Sequence, residues 1–89
     1  MTAIATILKE LPLEFVGEGE VRGFLFSQVC RTDRGYIYRV QEEDKVWYEV
    51  FERKINQFNG ISYPRSKSFG VWAWWYGSLD RAKEKLNSF

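Results

Sequence analysis

The chain contains no histidine and a single cysteine, Cys30. Without histidine, the usual base that activates a serine or cysteine nucleophile is missing. The common zinc and copper ligand sets cannot be assembled either, so neither a metal nor a cofactor is expected. One cysteine closes no internal disulfide, so packing must hold the chain together, which suits a reducing cytoplasm. No apolar run approaches the ~20 residues that a membrane-spanning helix needs, so no membrane partner is expected. Residues 1–11 have no basic opening and carry Lys9 and Glu10 near their end, unlike a secretion signal. Charge of one sign is scarce too. Thirteen Lys and Arg against 12 Asp and Glu leave a net +1, which favours neither a polyanion nor a polycation as partner.

What the chain does have is aromatic rings: seven Phe, five Tyr and four Trp in 89 residues. A chain of this length forms one domain, spanning 1–89, and buries only about 60–65% of its unfolded surface. One buried ring removes roughly 200 Å² from water, about 5 kcal/mol gross. A whole domain is stable by only about 5–15 kcal/mol net. The rings are therefore read first as core.

Residues 2–11 place Ile4, Ile7, Leu8 and Leu11 at helical spacing, and Pro12 ends the pattern. A short helix is expected there, with a strand as its rival because Ile and Thr are β-branched. Gly17-Glu18-Gly19-Glu20 reads as a flexible link. Residues 21–31, 36–40 and 46–55 read as strands, separated by the turn-forming Thr32-Asp33-Arg34-Gly35 and by a polar turn at 41–45. Asn59-Gly60, flanked by Phe58 and Ile61, signals a type I′ turn returning through Tyr63 until Pro64 breaks it. Residues 70–76 form a last strand. Ser78 then caps a C-terminal helix with Leu79, Ala82, Leu86 and Phe89 on one face. The expected fold is α+β and two-layered: an antiparallel meander of about four strands, with an N-terminal and a C-terminal helix packed on one face.

Most motifs have a plain explanation. Gly17-Glu18-Gly19 fails the dinucleotide fingerprint because Arg22 stands where the third glycine belongs, and two glutamates there would repel phosphate. Cys30, beside Phe24, Phe26 and Val29, reads as an inert packed thiol. Glu49 and Glu52 are an odd number apart and fall on opposite faces of a regular strand. Glu49 shares its face with Trp47 and Phe51, so partial burial would raise its pKa; otherwise it pairs with a cross-strand arginine such as Arg39, or faces water.

The segment 53–76 is the best binding candidate. It interleaves Arg53, Lys54, Arg65 and Lys67 with Tyr63, Trp72 and Trp74, while the acids Glu10, Glu14, Glu18 and Glu20 gather at the other end of the chain. Trp72, Trp74 and Tyr76 would share one strand face, and Val71, Ala73 and Trp75 the other. Trp, Tyr and Arg are favoured anchors in protein interfaces. Cations among rings also suit single-stranded nucleic acid.

Tyr48-Glu49-Val50-Phe51-Glu52-Arg53-Lys54-Ile55, then Tyr63-Pro64, Phe69-Gly70-Val71-Trp72-Ala73-Trp74 and Ser78-Leu79 with Ala82, resemble a pattern of small bacterial and phage-borne proteins of unknown function. The resemblance covers the C-terminal half and brings with it no activity and no functional residue. The resulting expectation is a non-enzymatic, cytoplasmic interaction domain whose partner is another protein or a second copy of itself. The alternatives are a single-strand nucleic-acid binder, and a small acid–base enzyme using Glu49 or a tyrosine.

Overall fold

The computed structural model describes residues 10–58 and 60–89. Five antiparallel strands form one sheet in chain order: β1 (Glu14–Val16), β2 (Leu25–Arg31), β3 (Gly35–Glu42), β4 (Lys45–Glu52) and β5 (Ala73–Tyr76). Short 3-10 turns at Gly19–Val21 and Ser66–Ser68 interrupt the connections, and α1 (Leu79–Asn87) ends the chain.

The β3–β4 turn sets the register. Glu42 pairs with Lys45, leaving Glu43 and Asp44 to reverse the chain, and Glu43 adopts a left-handed φ of 55°. Tyr38 then lies opposite Glu49, and Arg39 opposite Tyr48. In β2 the pairing skips Val29, so that Gln28 meets Tyr38 while Cys30 meets Ile37. This bulge turns Gln28 and Cys30 to opposite faces.

The faces bury different things. On one, Ile37 and Val50 meet Ala82 and Leu86 of α1, with Leu79, Phe89, Trp74, Tyr76 and Cys30 around them. A helix of nine residues is not stable alone, and this apolar contact supplies what propensity cannot. Ser78 Oγ accepts from the Arg81 amide at 3.4 Å, Asp80 lies in the first turn, and Lys85 Nζ sits 4.0 Å from the centroid of the Trp74 ring. The expectation of a C-terminal helix lying on the sheet is met at each of these residues.

On the other face the cover is aromatic. Tyr36 and Tyr38 stack on Phe51 at 5.4 and 5.9 Å between centroids, and all three are fully buried. Truncating one such ring costs about 3–5 kcal/mol. Their hydroxyls are satisfied by the segment entering β1: Tyr36 donates to Glu10, and Tyr38 to the Pro12 carbonyl while accepting from Gln28 Nε2 at 3.0 Å. Arg53 Nη2 reaches Glu10 Oε2 at 2.6 Å. These bonds strap the incoming chain across the rings.

Several expectations change, and one falls largely outside the described residues. The proposed helix at 2–11 lies outside the described residues except for Glu10 and Leu11, which are not helical. Among the described residues strands number five, not about four, because Phe15 pairs with Phe26 and stacks on it at 4.6 Å, making 14–16 a strand. The last strand begins at Ala73, since Gly70 takes a φ of 88° and Val71 and Trp72 belong to the turn after it. The return at Ile61 does form. Ile55 bridges Ile61, and Asn56 Oδ1 accepts from the amides of Phe58 (2.9 Å) and Gly60 (3.1 Å). Asn59, the first central residue of the expected type I′ turn, lies outside the described residues; next to it the loop is organised by the Asn56 side chain.

Candidate functional site

Beyond the packed rings, the aromatic face opens into a groove of about 1430 Å³. Its floor is Phe26, Trp47, Glu49 and Tyr63. One wall runs from Phe15, in β1, through Val21, with Glu18 and Glu20. The other runs from Pro64 to Phe69, with Arg65 and Lys67, and Trp75 closes the edge.

Tyr63 organises the floor. Its ring meets Phe15, Phe26, Tyr38 and Phe51 edge-on at 4.8–5.4 Å between centroids. Pro64, itself buried, follows Tyr63 and leads into the Arg65–Lys67 wall. The Tyr63 hydroxyl donates to Glu49 Oε1 at 2.9 Å, and Trp47 Nε1–H donates to Glu49 Oε2 at 3.0 Å. Trp47 is itself held edge-on by Phe24 at 5.6 Å. Burial pushes the Glu49 carboxyl above the ordinary carboxylate range, and the two donors only partly offset this. Burial, then the neighbouring Glu49 carboxylate, pushes the Tyr63 hydroxyl far up. Neither donor carries a positive charge. Among the described residues no arginine or lysine lies within ion-pair distance of Glu49. Arg39 cannot serve, because it stands opposite Tyr48 on the helix side and bonds Gln41 Oε1 at 2.9 Å.

Trp75 lies directly opposite Glu49 across the β4–β5 ladder, on the groove side, and is 64% exposed. Cross-strand partners of this kind bring their Cβ atoms to about 5 Å, within reach of the indole. Trp74, one residue earlier, faces α1 and lies 5.7 Å from Phe89.

Of the binding residues expected from sequence, Tyr63, Arg65 and Lys67 come together in this groove. Arg53 is turned onto Glu10, at 2.6 Å. Lys54 Nζ sits 5.5 Å over the Trp72 ring, which packs edge-on against Phe51 at 6.3 Å. Trp74 is on the far face of the sheet. Trp72 and Trp74, expected on one face, are therefore separated, because Trp72 precedes the strand. Sequence reasoning left Trp47 out of the site, gave Glu49 only to the acid–base alternative, and held Trp75 within the segment 53–76 without naming it as a binding residue. Alternation did place Glu49 beside Trp47; the missing step was the Glu43-Asp44 register, which brings Tyr38 and not Arg39 opposite it. Metal-ligating clusters of three or more acidic or cysteine side chains are absent among the described residues. No helix among them is long and apolar enough to cross a membrane.

No protein-family model matches the chain, and neither a curated protein nor a solved structure shows significant similarity to it.

Proposed function

We propose that this chain is a non-catalytic interaction domain that holds a segment of another protein in the groove above Glu49. The observation that carries this reading is Trp75, an exposed indole set on a rigid strand at the lip of a concave surface. Around it stand Trp47, Tyr63 and Arg65, the residue types that dominate binding energy in protein interfaces. Sites of this kind, built on strands with a buried supporting layer, lose little entropy when a ligand docks. With its single cysteine, the chain suits the cytoplasm, where a groove of this kind would meet its partner.

The test is selection of peptides from a random display library against the folded chain, followed by mapping of amide chemical shifts. Peptides that bind should perturb residues 15–21, 47–49 and 63–69, and Trp75→Ala should weaken them at least tenfold. Binders mapping only to the α1 face, or no binders at all, would overturn the reading.

Single-stranded nucleic acid is a second reading, favoured by Arg65 and Lys67 standing beside Phe69 and Trp75. Glu18, Glu20 and Glu49 in the same groove weigh against it, as does the engagement of Arg53 by Glu10. Quenching of Trp fluorescence by oligothymidylate at low salt, lost on Lys67→Ala, would favour it.

A further inference from the structure

Among the described residues five charged side chains line the groove: Glu49 on β4, Glu18 and Glu20 before β2, and Arg65 and Lys67 after Pro64. Glu49 is partly buried, and both of its partners are neutral donors. Two bonds leave a carboxylate with unused lone pairs, since its oxygens offer about four acceptor sites. The surfaces beside it are the rings of Trp47, Tyr63 and Trp75. Aromatic faces carry negative potential and attract cations within about 6 Å of the ring centre. Trp47 and Tyr63 turn their N–H and O–H edges to the carboxylate, so the partly buried Glu49 supplies the opposite charge a cation needs and the exposed indole of Trp75, its cross-strand neighbour, supplies the ring.

Resting on the reading above, we propose that the partner segment inserts one lysine or arginine side chain between Trp47 and Trp75, placing its cation on Glu49. The remaining charges refine the class of ligand. Arg65 and Lys67 on one wall would repel a segment that is basic throughout, and Glu18 and Glu20 on the other would repel one that is acidic throughout. The fitting sequence has a single central cation, with an acidic or neutral residue on the side facing Arg65 and Lys67. The stem of the entering residue covers the rings while its head reaches the carboxylate, as long basic side chains do.

The peptides selected in the display experiment provide the test. Groove binders should share one lysine or arginine, and replacing it with norleucine should weaken binding to the unaltered chain at least tenfold. Glu49→Gln, checked for an unchanged amide spectrum, should cause a similar loss, while Lys83→Ala, exposed on α1 and outside the groove, should change the affinity less than twofold. Groove binders that need an aspartate or glutamate and depend on Arg65 or Lys67 would overturn this inference and leave the interaction reading standing. Groove binders with no charge requirement would do the same. Absence of groove binders would overturn both.

Discussion

The Tyr63 hydroxyl donates to Glu49 across the aromatic face, at 2.9 Å, from a loop 14 residues further along the chain. The bond joins the floor of the groove to the wall that carries Arg65 and Lys67. It also fixes the sense in which Glu49 responds to pH. The folded chain holds the Glu49 proton more tightly than the unfolded chain, whose value is the ordinary 4.5. Between 4.5 and the raised folded value the native state binds more protons, so this residue's contribution to stability falls as pH rises. The stability of the native chain minus that of Glu49→Gln should decrease from pH 4 to pH 7, as read from urea unfolding. Tyr63→Phe removes one donor and should raise the Glu49 pKa further, as seen in carboxyl carbon shifts, at a stability cost of about 1–2 kcal/mol.

Glu10 should respond in the opposite direction. Arg53 and then Tyr36, bonding to its carboxylate, hold its pKa down at about 2, against 4.5 unperturbed. The contribution is therefore complete above pH 4.5 and is lost as pH falls toward 2. The pair is partly open to water, with about a fifth to a third of each side chain exposed, so Glu10→Gln should cost only about 1 kcal/mol at pH 7. The cost should shrink toward zero by pH 2.5. A difference that does not change with pH would show that the strap at Glu10 is held by something other than this ion pair.

Gly35 sits where β3 begins beneath the end of α1. A methyl group there would lie 2.6 Å from the Phe51 carbonyl oxygen and 2.8 Å from side-chain carbons of Leu86 and Phe89. The carbonyl belongs to the ladder and cannot move aside, so Gly35→Ala should destabilise by about 3 kcal/mol. Thermal unfolding should show both the loss and a reduced helical signal, because the helix is what must yield.

These residues also mark how far the sequence could be read. The C-terminal helix was legible because cap, periodicity and charge placement agree at Ser78, Leu86 and Lys85. The meander was legible from alternation and turn chemistry. The first strand was not, because three residues next to Pro12 carry too little period to register, and Phe15 becomes a strand residue only through stacking on Phe26. The start of β5 was misplaced by three residues because Val71 and Trp72 look like strand, while Gly70 in the left-handed region delays it. The groove was half legible. Tyr63, Arg65 and Lys67 are local in sequence, whereas Glu49 and Trp75 meet only through a register that the turn at Glu43 decides.

The most direct measurement is acrylamide quenching of four variants that each retain one tryptophan, with the other three replaced by phenylalanine. Trp75 should be quenched most strongly, with the partly buried Trp47, Trp72 and Trp74 quenched less. Equal quenching of all four, or a Trp75 as protected as Trp74, would contradict the division of this sheet into a helix-covered face and an open aromatic groove.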